Sequence, residues 1–228
     1  MSRAGKIARR SFLIGSGVVA GGFAVGIYLY KRTLANPLLK DLKPGEVALT
    51  PHVRIDQSGV TIITPHADVG QGAYSVQAAL VAEELDIAWQ DIKVDPGPAS
   101  AAYYNGEVVA DTLPIAATTG GVVGGGVRLA SDIGGLILGL QITGGSSTVP
   151  DSYEKLRMAG AAARELLLRA AAQKTGLARA DLKTKDGAVI TPDGKALSYA
   201  SLAEAAARMA PPETVALKPE AEWRYLGK

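Results

Sequence analysis

Residues Thr64–Ile87 read TPHADVGQGAYSVQAALVAEELDI, and this stretch decides the fold. An apolar run, Val60 to Thr64, ends at Pro65, and two glycines then flank a glutamine at Gly70-Gln71-Gly72. From Ala73 to Leu85 the apolar residues Val76, Ala79, Leu80 and the Ala82–Leu85 group recur at helical spacing. The pattern predicts a strand, a tight glycine loop and a helix. Ile92-Lys93-Val94 returns as a strand and stops at Asp95-Pro96-Gly97-Pro98. Upstream, Val53-Arg54-Ile55 pairs with Val60–Thr64 through the turn Asp56-Gln57-Ser58-Gly59. Strand, loop, helix and strand make an α/β unit, so a mixed α+β fold is expected, with ligands favoured at the loop end.

The glycine loop has two readings. It lacks the lysine and Ser/Thr of a phosphate-binding P-loop and the third glycine of a dinucleotide fingerprint, so it can be a structural turn. Alternatively, its flexible backbone, its amides near a helix start and the Gln71 side chain suit an anionic or heterocyclic ligand. A second loop of this kind, Gly144-Gly145-Ser146-Ser147-Thr148, also precedes a helix, and its small hydroxyls suit oxygen-rich ligands.

That second helix is expected over Tyr153–Gln173, with a capping box at Asp151-Ser152-Tyr153-Glu154 and a stop at Gly176. Leu156, Ala159, Gly160, Ala163, Leu166, Leu167 and Ala170 share one face, small enough near Gly160 for a backbone or a cofactor to approach. Beyond it, two Asp-Gly turns predict a hairpin, followed by a helix capped by Ser201 with Glu204 three residues on. Asn36–Gly45 reads as a linker, and the proline-bearing tail carries Trp223 and Tyr225, aromatics expected to pack on something inside or outside the chain. Residues 99–140 are glycine-rich and apolar without firm periodicity, either a flexible insertion or a segment packed on a partner, with no chemistry assigned.

The chain has 228 residues and no cysteine, which excludes disulfides, thiolate zinc, iron–sulfur ligation and covalent haem attachment within it. Six of its 24 basic residues lie at or before Arg32, and no acidic residue precedes Asp41. The remainder carries 18 basic against 22 acidic groups, a net of −4, which argues against nucleic-acid binding. An uncharged run, Ser11–Tyr30, follows the basic start. Its length can just span a bilayer. Residues 1–35 thus read as a membrane anchor with a chance arginine pair, or as a twin-arginine export signal carried by Arg9, Arg10, Phe12 and Leu13.

His52 and His66 are the only histidines; His66-x-Asp68 offers two metal ligands, which do not make a site. Glu83-Glu84 reads as a solvated or ion-pairing couple rather than an acid–base pair.

Taken in order, the residues carry a family pattern. The RR-x-F-L signal is followed by Asp68-Val69-Gly70-Gln71-Gly72, then Ala82-Glu83-Glu84-Leu85, the Gly144–Val149 loop, the Leu156–Arg164 helix, Leu217-Lys218-Pro219, and Trp223 to Lys228. This order resembles the molybdopterin-binding subunits of the xanthine dehydrogenase family, of the isoquinoline 1-oxidoreductase β and membrane-bound aldehyde dehydrogenase type. The resemblance implies a partial molybdopterin-binding domain over residues 36–228, interrupted by the insertion at about 99–140. It implies a molybdenum–pterin cofactor, in the cytosine dinucleotide form, touched by Gly70, Gln71, Gly72, Gly145, Ser146, Ser147 and Thr148. It also implies oxidation of an aldehyde or N-heterocycle with water as oxygen source. Electrons would pass to a [2Fe–2S] small subunit and on to a membrane cytochrome c, at the periplasmic face of the inner membrane. The family's general-base glutamate is expected outside this chain, and the chain reads as truncated and inactive without the remainder of the large subunit. The alternative is a membrane-anchored module that binds partner subunits and no cofactor.

Overall fold

The computed structural model describes residues 34–112 and 121–228. The anchor or export segment of residues 1–33 lies outside them. The fold is mixed α/β, with two sheets and helices between and around them.

The first sheet has the order β1 (Val47–Thr50), β2 (Val53–Asp56), β3 (Gly59–Ile63), β4 (Lys93–Asp95). β1, β2 and β3 run antiparallel, and the β2–β3 hairpin closes at the Asp56–Gly59 pair. β4 is parallel to β3, so the chain between them must cross over; helix α1 (Ala73–Leu85) makes that crossover. The bounds of α1 are those its sequence predicts, because Gly72 and Asp86, both left-handed, punctuate its ends.

After β4 the described parts of the glycine-rich segment form two helices, α2 (Glu107–Thr112) and α3 (Gly121–Leu138), where no periodicity predicts them. The long helix α4 spans Thr148–Thr175 and ends at left-handed Gly176. It starts five residues before the expected Tyr153, since Pro150 sits in its first turn, where no backbone N–H is required. The second sheet is an antiparallel meander of β5 (Lys183–Lys185), β6 (Ala188–Ile190) and β7 (Ala196–Ser198). Helix α5 (Tyr199–Ala207) follows, capped by Ser198 accepting from the Ser201 amide, so the expected Ser201 cap moves three residues back.

α1 and α4 pack closely because Gly160 has no side chain. A Cβ there would lie 2.8 Å from the Val81 carbonyl oxygen and 2.9 Å from Glu84 Cβ. The small face of α4 therefore admits another helix. Around this contact the core gathers Val53, Ile55 and Ile62 from the sheet, Leu80 and Leu85 from α1, Leu156 and Leu167 from α4, and Leu202 from α5.

The expected linker is anchored: Pro37 and Leu38 form a buried 3₁₀ turn, and Leu38 packs with Ala48, Ile63 and Tyr103. The C-terminal tail is strapped onto α1. Fully buried Glu83 accepts the backbone amides of Arg224, Tyr225 and Leu226 at 2.7–3.1 Å. Equally buried Glu84 pairs with Arg157 at 2.7 Å and Arg164 at 2.9 Å, and accepts the Lys218 amide at 3.1 Å. Burial and pairing thus replace the solvated alternative for this couple. The tail aromatics pack within the chain, Tyr225 against Trp89 and Trp223 over Arg157.

Candidate functional site

The first loop owes its shape to two side chains and two glycines. Asp68 accepts the Gly70 amide at 2.8 Å and the Tyr74 amide at 2.9 Å, so its carboxylate serves the start of α1. Those amides, Tyr74 first, hold its pKa below the ordinary carboxylate value. Gln71 accepts the Val69 amide at 2.6 Å and donates to the Ala67 carbonyl at 2.9 Å. Gly70 at φ 100° and Gly72 at φ 82° make the reversals that other residues resist. The Gln71 amide group is therefore spent on the loop itself.

The second loop closes with the Ser147 amide on the Gly144 carbonyl, 3.1 Å, around Gly145 and Ser146, both at φ 58°. Two positive φ values make it a mirror-image turn, which costs Ser146 backbone strain. Ser147 is buried; its hydroxyl donates to the Gly144 carbonyl at 2.6 Å and accepts from Asn105 at 2.7 Å. Its side chain thus faces the protein. Thr148 begins α4.

These loops meet. The Ala67 amide donates to Thr143 Oγ1 at 2.8 Å across 76 positions of sequence, and Gln141 Nε2 reaches the Pro65 carbonyl at 3.2 Å. Between them opens a cleft of about 560 Å³. Gln71, Gly72 and Ala73 line one side, Thr143, Gly144, Ser146, Thr148 and Val149 the other. Gly70, Gly145 and Ser147 shape the loops without lining it. Ala67, Val69, Val76 and Val149 make the walls largely apolar. The amino ends of α1 and α4 both face this cleft; α4 has no side-chain cap, whereas at α1 the Asp68 carboxylate already takes the Tyr74 amide in place of a cap from Gly72. The uncapped positive end of α4 above apolar walls suits a flat ring system bearing an anionic group.

Beneath the loops lies a polar layer. Gln77 clamps the His66 backbone, its oxygen 3.1 Å from the His66 amide and its nitrogen 3.0 Å from the His66 carbonyl. The His66 ring stands 3.8 Å from Asp151, which also takes the Gly106 amide at 2.8 Å and Lys155 at 2.7 Å. His66 Nδ1 is buried without a hydrogen-bond partner. Burial lowers its pKa, with Asp151 opposing, so the ring is neutral near pH 7. Asp151, the expected cap of α4, instead lies inside the helix and ties it to Gly106. Asp68 and His66 are engaged with different partners, and no three His, Asp or Glu side chains among the described residues are grouped to hold a metal.

Asn105 and Gln77 escaped sequence reasoning, which reads Asp151 only as a helix cap. Asn105 falls in the stretch given no chemistry, yet it holds Ser147 and, at 2.9 Å, the Ile142 carbonyl. Its partners lie about 40 positions away, and no spacing rule reaches that far.

No family model matches the chain. It is similar to the β-chain of the isoquinoline 1-oxidoreductase of Brevundimonas diminuta, 27% identical over 188 residues, covering 81% of this chain and 20% of that protein. It is also similar to a subunit of the nicotinate dehydrogenase of Pseudomonas putida, 28% identical over 171 residues, covering 75% of this chain and 11% of that protein. The chain thus spans a fifth or less of the curated relatives it matches.

Proposed function

We propose that the chain is the cofactor-binding N-terminal portion of a molybdenum-dependent oxidoreductase. The observation that carries this reading is the shared cleft: two motif loops far apart in sequence, tied by the Ala67–Thr143 bond, present two helix amino ends to one space. The names of its relatives, both subunits of oxidising enzymes, support the class.

The donors present fit a pterin bearing a phosphate. The uncapped amino end of α4 and the Thr148 hydroxyl would take the anionic group, while Val69, Val76 and Val149 would flank the ring. Gln71 acts on the backbone, holding Ala67 and Val69 so that the loop keeps its opening. Asn105 does the same for Ser147. The molybdenum centre, when bound, supplies the two-electron oxidation of an aldehyde or N-heterocycle with water as oxygen source. The partners in this reading are a [2Fe–2S] subunit, a membrane cytochrome c and further large-subunit residues. The body would sit at the periplasmic face, exported through Arg9-Arg10 and held by the N-terminal segment.

A second reading, a module that binds partner subunits and no cofactor, draws on the inward-turned Gln71 amide and Ser147 hydroxyl. Two variants of the assembled enzyme separate them. Val149→Trp fills the mouth of the cleft from a residue 44% exposed, so the core is untouched; Gln71→Ala loosens the loop. Both should lower molybdenum and releasable cytosine nucleotide per large subunit while assembly persists. Full metal and nucleotide content in both variants would sink the cofactor reading.

A further inference from the structure

Helix α3 is built inside out. Its buried positions are Gly124, Ser131, Gly135 and Leu136. A Cβ on Gly135 would lie 3.0 Å from Gly106 Cα and 3.1 Å from the Asn105 carbonyl oxygen, so the small face is what seats the helix on that turn. At about 100° per residue, Val122, Gly126, Leu129, Ile133 and Ile137 follow one another along the outer side. Val122 is 94% exposed, Ile137 53% and Leu129 42%. Val123, 61% exposed, lies beside the stripe. The charged residues of the helix, Arg128 and Asp132, lie off that stripe. Asp132 turns aside to Tyr104 at 3.0 Å and Lys155 at 3.5 Å. By length and composition the helix could cross a membrane, yet its small face is committed to the body. A contact with lipid would therefore be lateral, the helix lying in the interface plane.

We propose that this outer face rests on a lipid bilayer, as a second membrane contact beside the N-terminal segment. The proposal rests on the anchored reading given above. Proximity in sequence supports it: Leu38, eight residues after the uncharged run ends at Tyr30, packs on Tyr103. Tyr103 belongs to the Ala101–Tyr103 turn. Ala101 in turn lies beside the carboxyl end of α3, where a Cβ on Gly139 would stand 3.2 Å from it. The segment that begins the described body at Leu38 and the apolar helix are thus linked through one short turn. Exposed Leu39, Lys40, Asp41 and Lys43 follow the N-terminal segment, an apolar tip with a net charge of +1 toward anionic headgroups. Chemistry also points to lipid. The stripe contains only aliphatic residues and glycine, without the Tyr, Trp, Met or Arg anchors that dominate protein–protein contacts. One shallow apolar contact holds a bilayer weakly, but a tethered one acts at high effective concentration.

The cysteine-free chain permits a direct test. Single cysteines replacing Leu129, Ile137 or, as control, exposed Lys185 are spin-labelled in the full chain bound to phosphatidylcholine–phosphatidylglycerol vesicles. Labels at 129 and 137 should lose access to a water-soluble nickel complex and gain access to oxygen, while 185 stays wet. A chain that floats with vesicles but keeps 129 and 137 as nickel-accessible as 185 overturns this proposal and leaves the anchor intact. Failure to float at all removes both. Shielding of 129 and 137 only on adding the other enzyme subunits, without lipid, also overturns it, in favour of a protein cover.

Discussion

Replacing Glu84 by glutamine tests the strap directly. Glu84 is fully buried between Arg157, 7% exposed, and Arg164, 13% exposed, and its second oxygen also takes the Lys218 amide. Glutamine keeps the shape but turns an NH₂ toward a guanidinium or an amide that now lacks an acceptor. Breaking a buried pair costs about 3–5 kcal/mol, since the remaining cation stays desolvated. Both arginines keep one carbonyl partner in the tail, Lys218 for Arg157 at 2.8 Å and Ala216 for Arg164 at 2.7 Å. That places the expectation near the lower end, about 3 kcal/mol. Such a loss is a large share of the roughly 5–15 kcal/mol of an ordinary domain. Urea unfolding followed by tryptophan fluorescence reads it well, because Trp89 and Trp223 both flank the tail. The triple change Glu84→Leu, Arg157→Met, Arg164→Met should recover most of the loss, since no unpaired charge remains. A Glu84→Gln unfolding free energy within about 1 kcal/mol of the parent's refutes the reasoning.

Gly160→Ala should destabilise by about 1–3 kcal/mol despite alanine's better helix propensity, because the α1 backbone blocks the new methyl; thermal melting checks it. Burial pushes the His52 pKa down to about 4, partly offset by its bond to the Ile63 carbonyl. The unfolded chain therefore binds the proton first, and stability present above about pH 6.5 is lost as pH falls toward 4. Between pH 7 and 5 the parent should lose about 1–2 kcal/mol more than His52→Phe in parallel urea titrations. Asn105→Ala should cost about 1–3 kcal/mol and raise amide exchange across residues 141–148; unchanged exchange there would remove its role as the loop's tie. Lys-Lys in place of Arg9-Arg10 should leave the protein in the cytoplasm, and unaltered export in cell fractionation argues for a plain anchor.

The parts legible in the sequence are those written locally. The β3–loop–α1 passage announces itself through a strand, two obligatory glycines and a helical repeat, and α1 appears with the expected bounds. The three-residue shift at Ser198 and the five-residue shift at Thr148 have a common cause: several residues near a helix start can cap it, and only packing chooses among them. Helix α3 is illegible because periodicity rules assume that large apolar residues point inward. Glu83 and Glu84 could not be placed as core residues, since their partners lie more than 130 positions away in the tail, except for the two arginines of α4. The cleft itself is half legible. Both loops are visible as motifs, but the Ala67–Thr143 and Gln141–Pro65 bonds that bring them together, like the Asn105 tie behind the second loop, pair residues distant in sequence.

The buried glutamates also order events in time. Glu83 receives its amide donors from residues 224–226, and Glu84 receives one from Lys218. On a ribosome those donors leave the exit tunnel after both helices are already outside. Until they arrive, Glu83 at the α1 surface has no partner, and water must solvate it where the tail will lie. The helix pair can meet early, but its far side closes only when residues 218–226 fall into place. This delay keeps the far side of the helix pair open until synthesis reaches the strap.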